Sequence, residues 1–141
     1  MLVTDTGVKS GLPEGPWHLE PDRMQWREPD SGLCCLISRH CQLGSLCGYV
    51  GVQPGHPLYG TDYDQLEAQL STHGGLTFSG HLPGADHKLW WLGFDCAHFT
   101  DLVPALMPCK IGMGEYRDFN YVQTEVVNLA RQIYQKYPTE T

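Results

Sequence analysis

Leu33-Cys34-Cys35-Leu36-Ile37-Ser38-Arg39-His40-Cys41-Gln42-Leu43-Gly44-Ser45-Leu46-Cys47-Gly48-Tyr49-Val50-Gly51-Val52 is two apolar runs on either side of a polar, glycine-bearing turn. Runs of this length and content, joined through a few turn residues, read as neighbouring antiparallel strands. The same rhythm extends toward the N-terminus. Trp17-His18-Leu19 and Met24-Gln25-Trp26 are short apolar pieces punctuated by Pro21-Asp22 and Pro29-Asp30-Ser31-Gly32. Strands recurring at about ten-residue intervals through such turns predict an antiparallel meander.

Beyond Val52 the pattern changes. Gln53 to Gly60 holds two prolines and two glycines and is expected to be a shaped loop. Thr61 or Asp62 can cap a short helix through Leu70, with Leu66 and Leu70 on one face, and His73-Gly74-Gly75 ends it. Leu76 to Ser79 and Leu89 to Asp95 read as two further strands, with an exposed loop over residues 80–88 between them. Residues 97–114 are expected to be mostly irregular. Asn120 with Gln123 fits a capping box, and Val122, Val126, Leu129, Ala130, Ile133 and Tyr137 recur at helical spacing down to Pro138. The predicted class is α+β: an antiparallel sheet meander packed by a long C-terminal helix and one short helix. Residues 1–16, rich in Gly and Pro, are expected to form a flexible N-terminal arm, and 17–141 a single α+β domain.

Composition narrows the function classes. The 141 residues are 41% hydrophobic and 18% charged, which supports a packed core and excludes a disordered tail. A net charge of −7 gives no basic stripe, so duplex nucleic acid is not an expected partner, whereas a small phosphorylated ligand needs only a local site. No apolar run reaches the roughly 20 residues of a membrane span, and Met1 to Pro16 has no signal-like character, so no membrane partner and a cytoplasmic location are expected. The cysteines are then expected to be reduced.

Four groups of residues could carry chemistry. In Thr72-His73-Gly74-Gly75-Leu76-Thr77-Phe78, paired glycines can present amide hydrogens to an anion while His73 adds a donor, or they can simply form a tight turn. In Trp90-Trp91-Leu92-Gly93-Phe94-Asp95-Cys96-Ala97-His98, followed by Asp101, two carboxylates and an imidazole can converge with His73 on a metal or beside a substrate. Asp95 can equally cap a turn, and Trp90 and Trp91 must point to opposite faces of a strand. Cys34, Cys35, His40, Cys41 and Cys47 are of zinc-ligand type, yet no Cys-x-x-Cys pair exists, and small buried hydrophobes are the better reading. His56-Pro57-Leu58-Tyr59 is a rigid loop that either lines a site or packs Leu58 and Tyr59 under the sheet. No nucleophile elbow, Walker loop or dinucleotide fingerprint is present.

Gly15 to Asp22, Cys47 to Gly60, His73 to Phe78 and Trp90 to His98 together resemble a family of small bacteriophage- and prophage-encoded proteins. Its members carry Gly-x-Trp-x-x-Glu-Pro-Asp, Cys-Gly-Tyr-Val, Gly-His-Pro-Leu-Tyr-Gly, His-Gly-Gly-Leu-Thr-Phe and Trp-Trp-x-Gly-Phe-Asp-Cys-x-His. The resemblance implies a setting rather than an activity: the cytoplasm of an infected host cell, where an accessory protein can act against host defence. Defences that signal through cyclic nucleotides or ADP-ribose derivatives are blunted by a sponge that binds the signal without cleaving it.

The leading expectation is therefore an anti-defence sponge for a nucleotide-derived signal, a homo-oligomer needing no cofactor. Its ligand-binding residues are His73, Gly74, Gly75, Thr77, His56, Tyr59, Trp91, Asp95, His98 and Asp101. Gly74, Gly75 and His73 would hold phosphate, Tyr59 or a Trp would stack on a base, and Asp95 or Asp101 would accept from ribose. One alternative is a small hydrolase of a nucleotide or phosphoester, with His73, Asp95, His98 and Asp101 holding a metal. Another is an inhibitor that binds a host defence enzyme through an exposed aromatic patch.

Overall fold

The computed structural model describes residues 2–107 and 114–138. Its single sheet has six strands: β1 (Leu2–Thr4), β2 (Arg23–Arg27), β3 (Cys34–Arg39), β4 (Leu46–Val52), β5 (Phe78–Gly80) and β6 (Trp90–Asp95). All neighbours are antiparallel, in the order β1-β2-β3-β4-β6-β5. The first four strands are the expected meander. After β4 the chain runs through residues 53–77 to the far edge, forms β5, and turns back into β6, which pairs with β4. One long helix, α1 (Phe119–Lys136), packs on the sheet, so the chain is α+β.

The turn between β3 and β4 shows why the pairing starts there. His40 Nδ1 accepts from the amides of Gln42 and Leu43 at 3.1 and 2.9 Å, and the His40 amide donates to the Ser45 carbonyl at 2.8 Å. Register follows, with Ile37 opposite Gly48 and Cys35 opposite Val50.

Strand alternation then divides the core in two. One face places Cys35, Ile37, Val50, Leu92 and Phe94 against the helix stripe. That stripe is Phe119, Val122, Val126, Leu129, Ala130 and Ile133, all buried, each worth about 1.5–3 kcal/mol in removal from water where the side chain is large. A Cβ at Gly48 would lie 2.5 Å from Val126 Cγ2 and 2.6 Å from Phe94 Cζ, so the missing side chain is what lets α1 approach the sheet. The opposite face carries a smaller core of Leu36, Leu89 and Trp91, against which Tyr49, Phe78, Leu82 and Ala85 pack.

Several expectations are revised. Residues 2–16, part of the segment expected as a flexible arm, include β1, which pairs with β2, and a turn of 3-10 helix at Val8–Gly11 that buries Lys9. Trp17-His18-Leu19 is 3-10 helix rather than strand, because Pro16 opens it and Trp17 turns inward to donate its indole N–H to the Pro13 carbonyl at 2.8 Å. The short helix shrinks to a 3-10 turn at Tyr63–Leu66, continued by the Gln69 and Leu70 amides on the Leu66 carbonyl. The cap of α1 is Asp118, whose carboxylate accepts from the Tyr121 amide at 2.8 Å, and not Asn120. The 81–89 loop is tied down by Leu82 and Ala85 and by Arg23, which donates to the Gly84 carbonyl. Of the irregular segment expected over 97–114, residues 108–113 lie outside the described residues.

The start of α1 is fixed by a buried ionic network. Arg39 donates to Asp22 at 2.9 Å, to the Gly44 and Pro21 carbonyls, and to Tyr116 and Glu20. Tyr116 donates to Glu20 at 2.5 Å, and the other Glu20 oxygen accepts from the Phe119 amide at 2.8 Å. Glu20-Pro21-Asp22, conspicuous in the sequence, thus joins the N-terminal segment, β3 and the helix N-terminus. No helix among the described residues is long and apolar enough to cross a membrane.

Candidate functional site

Where the N-terminal turn of α1 meets the end of β6 and the 72–75 turn, polar side chains converge on one carboxylate. Asp101 is 3% exposed. His73 Nε2 lies 2.9 and 3.0 Å from its two oxygens, His98 Nδ1 3.1 Å from Oδ2, and Arg117 Nε 2.9 Å from Oδ1. The His98 amide also donates to Oδ2 at 3.0 Å, and the Asp101 amide donates to the His98 carbonyl, which makes 98–101 a closed turn. Burial alone would disfavour the charge, but the hydrogen bonds from His73, the His98 backbone, Arg117 and the His98 ring outweigh it and hold the carboxyl at about 2, against an ordinary 3.8.

An ionised carboxylate only accepts, so both imidazoles turn an N–H toward it. That sets the other nitrogens. His73 Nδ1 accepts from the Tyr121 hydroxyl at 2.8 Å, while His98 Nε2 faces outward with Asp95 Oδ1 3.6 Å away. Arg117 stacks on the Tyr121 ring at 5.1 Å and reaches Glu115 at 3.3 Å. The Asp101 carboxylate beside it pushes the Arg117 guanidinium further up, so it stays charged. Burial pushes the Tyr121 hydroxyl up and keeps it neutral.

Gly74 makes this geometry possible. Its φ is +66°, and a Cβ there would lie 2.4 Å from His98 Cε1. The His98 ring therefore rests directly on the turn backbone. Thr77 donates to Asp95 at 3.3 Å, and Asp95 accepts from the Ala97 amide.

The structure thus brings together His73, Gly74, Thr77, Asp95, His98 and Asp101, with Gly75 next in the same turn. It does not bring in the remaining three. His56 is buried against the Tyr137 backbone at the C-terminal end of α1, about 24 Å along the helix from Tyr121. Its Nδ1 accepts from the Leu58 amide, which is a turn-fixing role, and burial pushes it down. A cleft of about 480 Å³ opens beside it, but the one charged group there, Arg27, is already bonded to the Gly32 carbonyl. Tyr59 packs its ring against Trp90 and His81. Trp91 is fully buried in the second core and has no route to a ligand.

His73 is also not the open contact the sequence suggested. Its side chain is 9% exposed with both nitrogens engaged, whereas that of His98 is 30% exposed, Asp95 40% and Arg117 20%. Tyr121 and Arg117 are the additions. Tyr121 sits one position off the apolar stripe of α1, and that displaced aromatic was the available signal. Beside His98, Phe99 is 83% exposed. Among the described residues, His73, His98 and Asp101 are the group whose ligand-type atoms lie within 4.8 Å of one another.

The thiols do not join this chemistry. Burial pushes Cys35 up to about 12 and Cys47 up to about 11, and Cys96 higher still, so these cysteines stay protonated and pack as small hydrophobes. Set against protein-family models, curated proteins and solved structures, the chain finds no match.

Proposed function

We propose that this chain binds a small phosphorylated, nucleotide-type molecule at the rim of the His98 cluster and withholds it without cleaving it. The observation that carries this reading is the contrast between a locked interior, His73 and Asp101, and an open edge formed by His98, Arg117 and Asp95. A rigid base under a few solvent-facing polar groups is what a preorganised ligand site needs. On this reading Arg117 and the His98 ring meet phosphate, Asp95 accepts from ribose hydroxyls, and the exposed Phe99 ring supplies the stacking surface expected of Tyr59 or a tryptophan. The protonated thiols favour binding over nucleophilic turnover.

The setting belongs to the same proposal: a phage-encoded accessory protein in the infected host cytoplasm, acting as a homo-oligomer on a nucleotide-derived defence signal. The test is calorimetric titration of the purified chain with ADP-ribose and with a cyclic dinucleotide. Saturable binding of one of them, weakened in Phe99→Ala and His98→Ala with the ligand recovered intact, supports sequestration. A second reading, hydrolysis, draws on the Asp101 contact that leaves His98 Nε2 facing solvent as a base. Recovery of a cleaved product would establish it instead.

A further inference from the structure

The cluster is short of positive charge for the ligand just assigned to it. Asp95, Asp101 and the exposed Glu115 face a single guanidinium, Arg117. A phosphate brought to that edge meets carboxylates as readily as a cation, and the chain's net −7 does not help it approach. Something must supply the missing charge.

We infer that His73 Nε2, His98 Nδ1 and Asp101 Oδ2 form a binding site for one zinc-type divalent ion, and that this ion anchors the ligand's phosphate. The zinc site stands on geometry alone; the phosphate role rests on the function proposed above. Both imidazole nitrogens already face the same oxygen, at 3.0 and 3.1 Å. Ligand bonds of about 2.1 Å arranged tetrahedrally put ligand atoms about 3.4 Å apart, so the two nitrogen–oxygen distances need widen by only a few tenths of an ångström, and all three donor atoms lie within 4.8 Å of one another. Two imidazoles and one carboxylate are a recognised donor set for such ions and leave a coordination position open.

The surrounding groups fit the loaded state as well. When a metal takes His73 Nε2, the ring proton sits on Nδ1, and the Tyr121 hydroxyl at 2.8 Å turns from donor to acceptor of that N–H. When it takes His98 Nδ1, the proton moves to Nε2, which faces Asp95. Metal-bound histidines are oriented by this kind of outer partner on the second nitrogen. Arg117 holds the other Asp101 oxygen, Oδ1, while the His98 amide fixes Oδ2 at 3.0 Å in the position where both imidazoles face it. The fourth candidate of the sequence, Asp95, is a partner of His98 rather than a ligand.

The test uses the full chain, stripped with a chelator and titrated calorimetrically with zinc chloride, with Co²⁺ absorption reporting the coordination. The expected result is one ion per chain, bound at least tenfold more weakly in His98→Ala and in His73→Ala, and about tenfold more weakly in Tyr121→Phe, which keeps the ring. His87→Ala, at an exposed position of the loop before β6, should bind as the parent does. Circular dichroism melts identify any variant that fails to fold, and Tyr121→Phe carries the test if His73→Ala does. Equal zinc affinity in parent, His98→Ala and Tyr121→Phe, or no stoichiometric binding, overturns the site. ADP-ribose is then titrated with and without zinc. Binding only to the zinc-loaded chain supports the whole inference, and equal binding to both forms overturns the anchoring role while keeping the proposed function. Zinc bound at the site with no ADP-ribose binding in either form supports the metal site and overturns the nucleotide reading for this probe.

Discussion

The His98 ring lies on the backbone of Gly74 so closely that a single methyl group there would sit 2.4 Å from His98 Cε1. The 72–75 turn and the 98–101 turn are therefore one unit. Gly74 and Gly75 are separable by substitution, because both have positive φ, +66° and +84°, yet a Cβ at Gly75 meets nothing within 4 Å. Each alanine variant should lose about 1–2 kcal/mol from left-handed backbone strain. Only Gly74→Ala should also push His98 off Asp101 and abolish ADP-ribose binding. Urea denaturation paired with calorimetry checks this, and equal ligand affinity in the two variants would show that the ring contact is unimportant.

Acid should weaken the fold through Asp101. Its carboxyl is held at about 2 in the folded chain against an ordinary 3.8. The folded value is the lower one, so the stabilisation is complete above about pH 4 and is lost as pH falls toward 2. The interval is worth about 2 kcal/mol at roughly 1.4 kcal/mol per pH unit. Glu28 and Asp22 are also held below the carboxylate range, where hydrogen bonds outweigh burial, and they share this acid limb. The difference in urea midpoint between parent and Asp101→Asn, followed from pH 5 to pH 2, isolates the Asp101 share and should shrink with acid.

Glu20 should matter out of proportion to its exposure. It accepts from Tyr116, Arg39 and the Phe119 amide, so Glu20→Ala removes a helix cap and leaves a buried guanidinium short of a partner. The expected loss is about 2 kcal/mol. Leu19→Ser, one residue away at 94% exposure, should change stability by no more than about 0.5 kcal/mol. Chemical denaturation of the two variants side by side is the measurement.

Trp91 and Phe99 exchange the roles that composition suggests for aromatic residues. Trp91 is fully buried and its indole nitrogen finds no hydrogen-bond partner, so Trp91→Phe removes an unpaired N–H along with some volume and should cost only about 1 kcal/mol, with ADP-ribose affinity unchanged. Phe99→Ala should leave the melting temperature unchanged and weaken ADP-ribose by about tenfold or more, the range of one stacked base. Calorimetry and thermal melts on both variants decide the assignment.

The fold was legible where side-chain period and turn chemistry agree. The apolar runs Leu33 to Ser38 and Leu46 to Val52, set on either side of turn residues, give β3 and β4, and the stripe from Val122 to Ile133 gives α1. What failed were local signals overruled at a distance. Asn120 looks like a cap, but Glu20 and Asp118 hold the helix start, and the Glu20 contact spans 99 positions of sequence. The N-terminal residues look loose because their apolar content is low, yet their strand needs only the backbone of β2 to pair with. Around Asp101, the convergence of His73, Asp95 and His98 was legible from residue type and spacing. His56 and Trp91 misled because residue type does not reveal depth, and Tyr121 was hidden in a helix whose stripe explained its neighbours.

The measurement that bears most directly on the central claim is native mass spectrometry of the chain purified from bacteria with an active nucleotide-signalling defence, followed by denaturation and identification of what is released. The account predicts an intact nucleotide-type molecule bound stoichiometrically and absent from the Phe99→Ala and His98→Ala proteins, with the native mass also giving the number of copies in the assembly. A chain that emerges with no such molecule, or that releases the same molecule equally from parent and variants, would contradict it.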